Sequence, residues 1–122
     1  MNAEKVVITK TVKEQDLAVN VKSGSLEVLA TPVMIAWMEE AACMALELEK
    51  EMTSVGILMN VSHDLASPLG AVIEICADPV KIEGRKIHFE VSASMNGKSI
   101  SKGIHERFTV NAEKFISKVY SK

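Results

Sequence analysis

Few side chains in this 122-residue chain can move a proton or attack carbon near neutral pH, and they are scattered along it. His63, His88 and His105 are the three histidines, and Cys43 and Cys76 the two thiols. The histidines show no metal-ligand spacing on a shared helix and no Cys-x-x-Cys pair accompanies them, so zinc is not expected. No histidine lies close to either cysteine in sequence, and both thiols read as small apolar fillers rather than nucleophiles. His63 falls on the apolar side of an alternating segment, where it is either a hydrogen-bonded core histidine or a base. Thr31 stands ahead of Pro32 and an apolar run, which makes it a helix cap, and also a candidate nucleophile if its hydroxyl points into a cleft.

Other residues support rather than react. Glu39 lies about 100° around a helix from Glu40, at the border of the apolar side, and reads either as part of a solvated face or as an inward carboxylate. Gly56 within a strand permits a bulge or a close backbone approach. His105 and Arg107 share one strand face, open to solvent or to a subunit contact.

These residues must be positioned by a small set of elements. Val6 to Val21 mixes Val, Ile and Thr with Lys, which suggests two short strands joined near Lys13 to Gln15. Pro32 suits the first turn of a helix, and Val33 to Lys50 contains no Gly or further Pro, so a helix of roughly 18 residues is expected, mostly wrapped by protein. Val55, Ile57, Met59, Val61, His63 and Leu65 alternate with Gly56, Leu58, Asn60, Ser62 and Asp64, the period of a strand with one buried face. After a turn at Ser67 to Gly70, strand-like runs follow at Ala71 to Ala77 and Val80 to Ile82, interrupted by Pro79 at a bulge or edge. Ile87, Phe89, Val91 and Ala93 form an inward set. Asn96-Gly97 is the dipeptide of a tight hairpin, and Ile100, Ile104, Phe108 and Val110 return on the apolar side of the last strand. The order is α+β: an antiparallel sheet wrapped around one long central helix, the hotdog fold in outline, as one domain over residues 1–122.

Composition narrows the partners. Lys plus Arg number 14 against 16 Asp plus Glu, for a net charge of −2 without a basic block, and aromatics are 4% of the chain, which argues against a nucleic-acid partner. The longest stretch free of charged residues runs 12 residues, Met52 to His63. A membrane-spanning helix needs about 20, so no membrane partner is expected. Two cysteines make no disulfide framework and the N-terminus has no signal-like apolar run, consistent with a reducing cytoplasm.

Three segments resemble the fluoroacetyl-CoA thioesterase-like branch of the hotdog acyl-CoA thioesterases: ATPVMIAWMEEAACMAL with Thr31 and Glu39, SVGILMNVSHDLASPLG with Gly56 and His63, and GIHERFTVNAEKF with His105, Glu106 and Arg107. Their order, and the spacings from Gly56 to His63 and from His63 to Arg107, also match that family. The resemblance implies hydrolysis of a thioester between a short acyl group and coenzyme A, with Thr31, Glu39 and His63 in the catalytic positions and Gly56 and Arg107 lining the acyl pocket. Thioester hydrolysis needs an activated nucleophile or water, a base with a pKa near neutrality and donors for the developing oxyanion. In that scheme His63 is the base, Glu39 its orienting partner, and Thr31 the hydroxyl that attacks or positions water. It requires no metal or redox cofactor. The family's name-giving enzyme carries a longer, aromatic-bearing lid segment ahead of the threonine, whereas VKSGSLEVLAT here is short and has none; a fluorinated acyl group does not transfer with the resemblance.

One geometric condition comes with this assignment. Thr31 and Glu39 are eight residues apart, a rise of about 12 Å in a continuous helix, too far for one imidazole to touch both. Either Thr31 sits on a folded-back loop or the site is completed across a dimer. Exposed strand edges also favour association, as a homodimer or a tetramer of dimers. The alternative function is a non-catalytic acyl-CoA-binding or regulatory hotdog protein; an enoyl-CoA hydratase ranks last, because the D-x-x-x-x-H motif is absent. Lys98 and Lys102, near a hairpin, are candidate contacts for the CoA phosphates.

Overall fold

The computed structural model describes residues 1–121. Its elements are strands β1 (Asn2–Ala3) and β2 (Val6–Thr11), helices α1 (Ala18–Val21) and α2 (Thr31–Met44), strands β3 (Leu46–Glu47), β4 (Met52–Val61), β5 (Val72–Glu83), β6 (Lys86–Met95) and β7 (Lys98–Asn111), and a C-terminal helix α3 (Ala112–Tyr120). Five strands form one antiparallel sheet in the order β2-β5-β6-β7-β4, while β1 and β3 pair separately. The sheet's inner side receives α2, which packs on β5, β2 and β6. This is the expected α+β hotdog architecture.

Helix α2 buries Met34, Met38, Ala41 and Ala42, an i, i+4, i+7, i+8 stripe, with Ala45 just beyond. Against it stand Ile73, Ile75, Ile87, Phe89, Val91 and Ile100 in one core cluster. Each fully buried Ile or Met side chain contributes about 1.5–3 kcal/mol through removal of apolar area from water. The opposite side of α2 is not covered: Pro32, Ala36, Cys43 and Met44 are exposed although mostly apolar. The helix is therefore neither 18 residues long nor wrapped on all sides. It ends at Met44 because Leu46–Glu47 leaves to pair with Asn2–Ala3. Cys43 is correspondingly an exposed thiol and not a core filler.

Two further expectations change. Residues after Lys13 form a short 3-10 turn (Glu14–Asp16) and α1 in place of a second strand. The segment is instead anchored by single bridges, Leu17 to Leu29 and Val28 to Pro68, which bury Leu17 and Leu29.

The faces of two strands also differ from a simple period of two, and bulges are the cause. Between Ala93↔Ser101 and Ser94↔Ser99 the register shifts by one, with Ile100 as the extra residue. Past that point the inward face of β7 is Ser101, His105, Arg107 and Thr109, all buried, whereas Ile104 is 46% exposed. On β4 the register shifts between Gly56 and Leu58, so Gly56 and Met59 both face inward and Ile57 is exposed. A bulge adds one residue and reverses the alternation beyond it. The bulge expected near Pro79 is present, between Pro79 and Lys81. Asn96 (φ 51°) and Gly97 (φ 77°) close the β6–β7 hairpin with two left-handed residues, the conformation for which Asn-Gly is suited.

Candidate active site

Two polar centres sit along α2. The first lies at its N-terminus, where Thr31 is the first helical residue and Ala30 the cap. Thr31 is thus not the cap; its hydroxyl is free to face outward, and its Oγ1 lies 2.7 Å from Nδ1 of His63. His63 stands just past the end of β4, on a loop pinned at both sides. The Ser62 and Asp64 amides donate to the carbonyls of Lys102 and Ile100, and the Leu29 amide donates to the Ser67 carbonyl. The same backbone bonds that fold the loop against the entry to α2 therefore set the threonine and the histidine opposite each other.

Burial pushes the His63 pKa below its ordinary value, with the neighbouring Asp64 carboxylate pulling in the opposite direction. The imidazole is accordingly neutral at pH 7 and able to accept a proton. Its Nε2 is buried without a hydrogen-bond partner among the described residues. Thr31 and His63 border a cavity of about 250 Å³, together with Ala18, Ser23, Val28, Leu29, Asp64 and Ala66. A larger open groove, about 730 Å³, crosses the outer face of the sheet past Asn60, Ser92 and Lys102, and holds none of the expected catalytic residues.

The second centre lies two turns further along α2. Arg107 is 6% exposed and donates from Nε to Ser54 Oγ (2.8 Å), from Nη2 to the Ser54 carbonyl (3.1 Å) and from Nη1 to His105 Nε2 (3.2 Å). Glu39 Oε2 is 3.5 Å from Nη1, a longer ion pair. Gly56 completes the cluster: a Cβ there would come within 2.7 Å of Glu39 Oε2 and 3.3 Å of both Arg107 Nη1 and His105 Cε1. The close approach of Glu39 to the β4 backbone thus depends on the missing side chain.

The structure brings Thr31 to His63 and gathers Glu39, Gly56 and Arg107, but keeps the two groups separate within one chain. Glu39 faces Arg107 rather than His63, and Thr31 belongs to the continuous helix, so no folded-back loop joins them. Ser54 is a member of the cluster that sequence patterning did not single out; it pairs with Thr109, one inward position along β4 from Gly56, and a serine two residues before that glycine offered no distinctive signal. Lys98 and Lys102 are exposed. Among the described residues no three His, Cys, Asp or Glu side chains converge as a metal site, and no helix is long and apolar enough to cross a membrane.

The chain resembles known proteins in both sequence and fold. The family model of the fluoroacetyl-CoA-specific thioesterases matches residues 12–113. The fluoroacetyl-CoA thioesterase of Streptantibioticus cattleyicolor is 38% identical over 98 residues, covering 79% of this chain and 70% of that protein. A solved structure of a fluoroacetyl-CoA thioesterase superposes with a TM-score of 0.92 at 29% identity, covering 100% of this chain and 96% of the other. A hot-dog-like protein from Thermanaerovibrio acidaminovorans shares the fold, with a TM-score of 0.87 at 20% identity over 98% of this chain and 90% of its own. With the matched region running from just past β2 to the start of α3, and both polar centres inside it, the chain belongs to the fluoroacetyl-CoA-specific thioesterase family.

Proposed function

We propose that this protein is an acyl-CoA thioesterase that hydrolyses a short-chain or small acyl-CoA to the free acid and CoA, working in a reducing cytoplasm as one hotdog domain per chain. The observation that carries this reading is the 2.7 Å contact between Thr31 Oγ1 and His63 Nδ1 at the edge of a cavity, with the histidine held neutral by burial. His63 takes a proton through Nδ1 from the Thr31 hydroxyl as its oxygen attacks the thioester carbonyl and expels the CoA thiolate, which receives that proton before water hydrolyses the acyl-threonine to the acid, or else from a water that Thr31 positions and that attacks the carbonyl directly. Donation from Thr31 to Nδ1 leaves the other ring proton on Nε2, the atom that lacks a partner among the described residues.

A carboxylate on Nε2 would fix that tautomer and balance the imidazolium that forms during the reaction. Glu39 is the residue assigned to this role, and its own chain places it two turns away. We therefore infer a homodimer in which Glu39 of the partner subunit reaches the His63 ring as the side chains over Nε2 give way on association. The uncovered apolar side of α2 and the unpaired outer edge of β4 favour such pairing, since either would otherwise leave apolar or hydrogen-bonding surface in water. In the same arrangement Gly56 and Arg107 line the acyl pocket, the glycine allowing the acyl group to lie against backbone.

The relative's name specifies a fluorinated acyl group. In this chain the segment that covers Thr31 contributes Ala18, Ser23, Val28 and Leu29 to the cavity wall, all small or aliphatic. These shape a pocket for a small aliphatic acyl group without demanding fluorine.

Release of free thiol from acyl-CoAs of increasing chain length tests the proposal. Turnover that peaks at short acyl groups and collapses in His63→Ala supports it, whereas tight acyl-CoA binding without any thiol release assigns a non-catalytic binding role. Light scattering tests the dimer: a monomeric mass at micromolar concentration removes the shared site.

A further inference from the structure

His105 has no assigned part in the reaction, yet it is 1% exposed and holds the guanidinium that lines the proposed acyl pocket. We propose that His105 is a positioning residue that functions only as the neutral Nδ1–H imidazole, clamping Arg107 and the β4 bulge around Gly56, and that its protonation dismantles this half of the site in acid. The consequence for catalysis rests on the thioesterase reading; the clamp itself rests on geometry alone.

The tautomer follows from what each partner can do. Nδ1 lies 2.8 Å from the Leu58 carbonyl, which only accepts, so Nδ1 carries the proton. Nε2 lies 3.2 Å from Arg107 Nη1, which only donates, so Nε2 is bare. No other protonation state satisfies both contacts. Through them the pair grips β4 on either side of its bulge. Arg107 holds Ser54 by hydroxyl and carbonyl, His105 holds Leu58, and Gly56 lies between the two anchor points.

The surroundings set how the clamp responds to pH. Strand β6 contributes the uncharged ring of Phe89, stacked on His105 with centroids 6.0 Å apart; β4 contributes the Leu58 carbonyl; α2 contributes Glu39; and β7 itself carries Arg107 and Glu106. Burial lowers the His105 pKa, and the Arg107 charge lowers it further, against the Leu58 carbonyl, Glu39 and Glu106, which raise it. A proton arriving at Nε2 removes the acceptor and sets two cations at 3.2 Å. Arg107 must then leave, and Gly56 loses its upstream anchor at Ser54.

The test compares the parent with His105→Gln and His105→Leu. A glutamine amide can donate and accept as the neutral imidazole does but does not titrate, whereas leucine does neither. In kcat/KM against pH, two titrating histidines give the parent a limiting acid slope of about 100-fold per pH unit, and His105→Gln one of about tenfold. At pH 8, His105→Gln should recover at least about tenfold of the kcat/KM lost in His105→Leu, since only glutamine restores both hydrogen bonds. An acid slope in His105→Gln equal to the parent's, or no recovery relative to leucine, overturns the clamp. The 15N spectrum of the parent's histidines at pH 7 reads the same point without any variant: His105 is expected as the neutral Nδ1–H form, and an Nε2–H or charged ring overturns the proposal. Should no acyl-CoA turn over at any pH, the thioesterase reading fails and this spectrum alone judges the clamp.

Discussion

The centre around Arg107 and the centre around His63 are both built from α2 and the strands facing it, yet only the first is complete in one chain. Arg107 is tied to Ser54 twice and to His105, and His105 to Leu58, so the hydrogen-bonding capacity of the guanidinium and of the imidazole is largely used. His63 has Thr31 on one nitrogen and, among the described residues, no partner on the other. An unpaired buried polar atom costs about 1–3 kcal/mol, which the Arg107 centre avoids and the His63 centre bears. A saturated cluster holds shape; an unsaturated one is ready to take a proton or a further ligand. In the proposed reaction the saturated cluster supplies a fixed pocket wall and the unsaturated one the proton acceptor.

Mutation should separate them accordingly. The largest effect is expected for His63→Ala, which removes the base and lowers kcat/KM by about 10³-fold, while urea unfolding shifts little. An equal loss of stability would merge the two centres into one structural unit. Arg107→Met should do the reverse first: it strands Ser54, His105 and Glu39, and urea denaturation should show a loss of about 3 kcal/mol. A stability change within experimental scatter would mean that the cluster is dispensable to the fold.

Gly56→Ala sharpens the comparison further. Its methyl group would meet Glu39 Oε2 at 2.7 Å, so the carboxylate must move, and a decrease of about tenfold in kcat/KM is expected with most of the folding stability retained. Unchanged kinetics would show that the position of Glu39 is not critical. The smallest effect concerns stability against pH. Both His63 and His105 have folded-state pKa values below their ordinary 6.5, so the unfolded chain binds their protons more readily than the native one. Their contribution is fully present above about pH 6.5 and is lost as pH falls through the lowered folded-state values. The urea midpoint should therefore be lower at pH 5 than at pH 8, with the difference reduced in His105→Gln. A midpoint that is equal or higher at pH 5 would contradict the buried neutral histidines.

Much of this organisation was legible in the sequence because it follows local rules. The Ile87, Phe89, Val91 and Ala93 alternation, the Asn96-Gly97 hairpin and the bulge beside Pro79 all appear where side-chain period and turn chemistry place them. Phase was lost where the backbone inserts a residue without a marker. Ile100 bulges with no Gly or Pro beside it, and beyond it Ile104 and Phe108 point away from the core while His105 and Arg107 point inward. A polar pair on an apparently outer face is in fact the buried cluster. The end of α2 was illegible for a related reason: Ala45 to Lys50 has helical propensity, but pairing of Leu46–Glu47 with a strand more than forty residues earlier overrides it. At the site, the types and order of Thr31, Glu39 and His63 carried the resemblance. Which of them meet is a matter of helix rise, and the separation of Thr31 from Glu39 followed from arithmetic alone.

The two-residue Asn96-Gly97 connection has a kinetic corollary. Strands β5, β6 and β7 follow one another through tight turns, so their pairing closes short loops at low entropic cost. Strand β4 must instead find β7 across the whole meander, Gly56 meeting Arg107, and β2 must find β5 at comparable distance along the chain. Such remote pairings are slow to form. The residues that hold Gly56 belong to one of these late seams, so recovery of catalytic rate during refolding should lag behind recovery of sheet structure. A partly folded chain would hold its meander intact while its pocket had yet to exist.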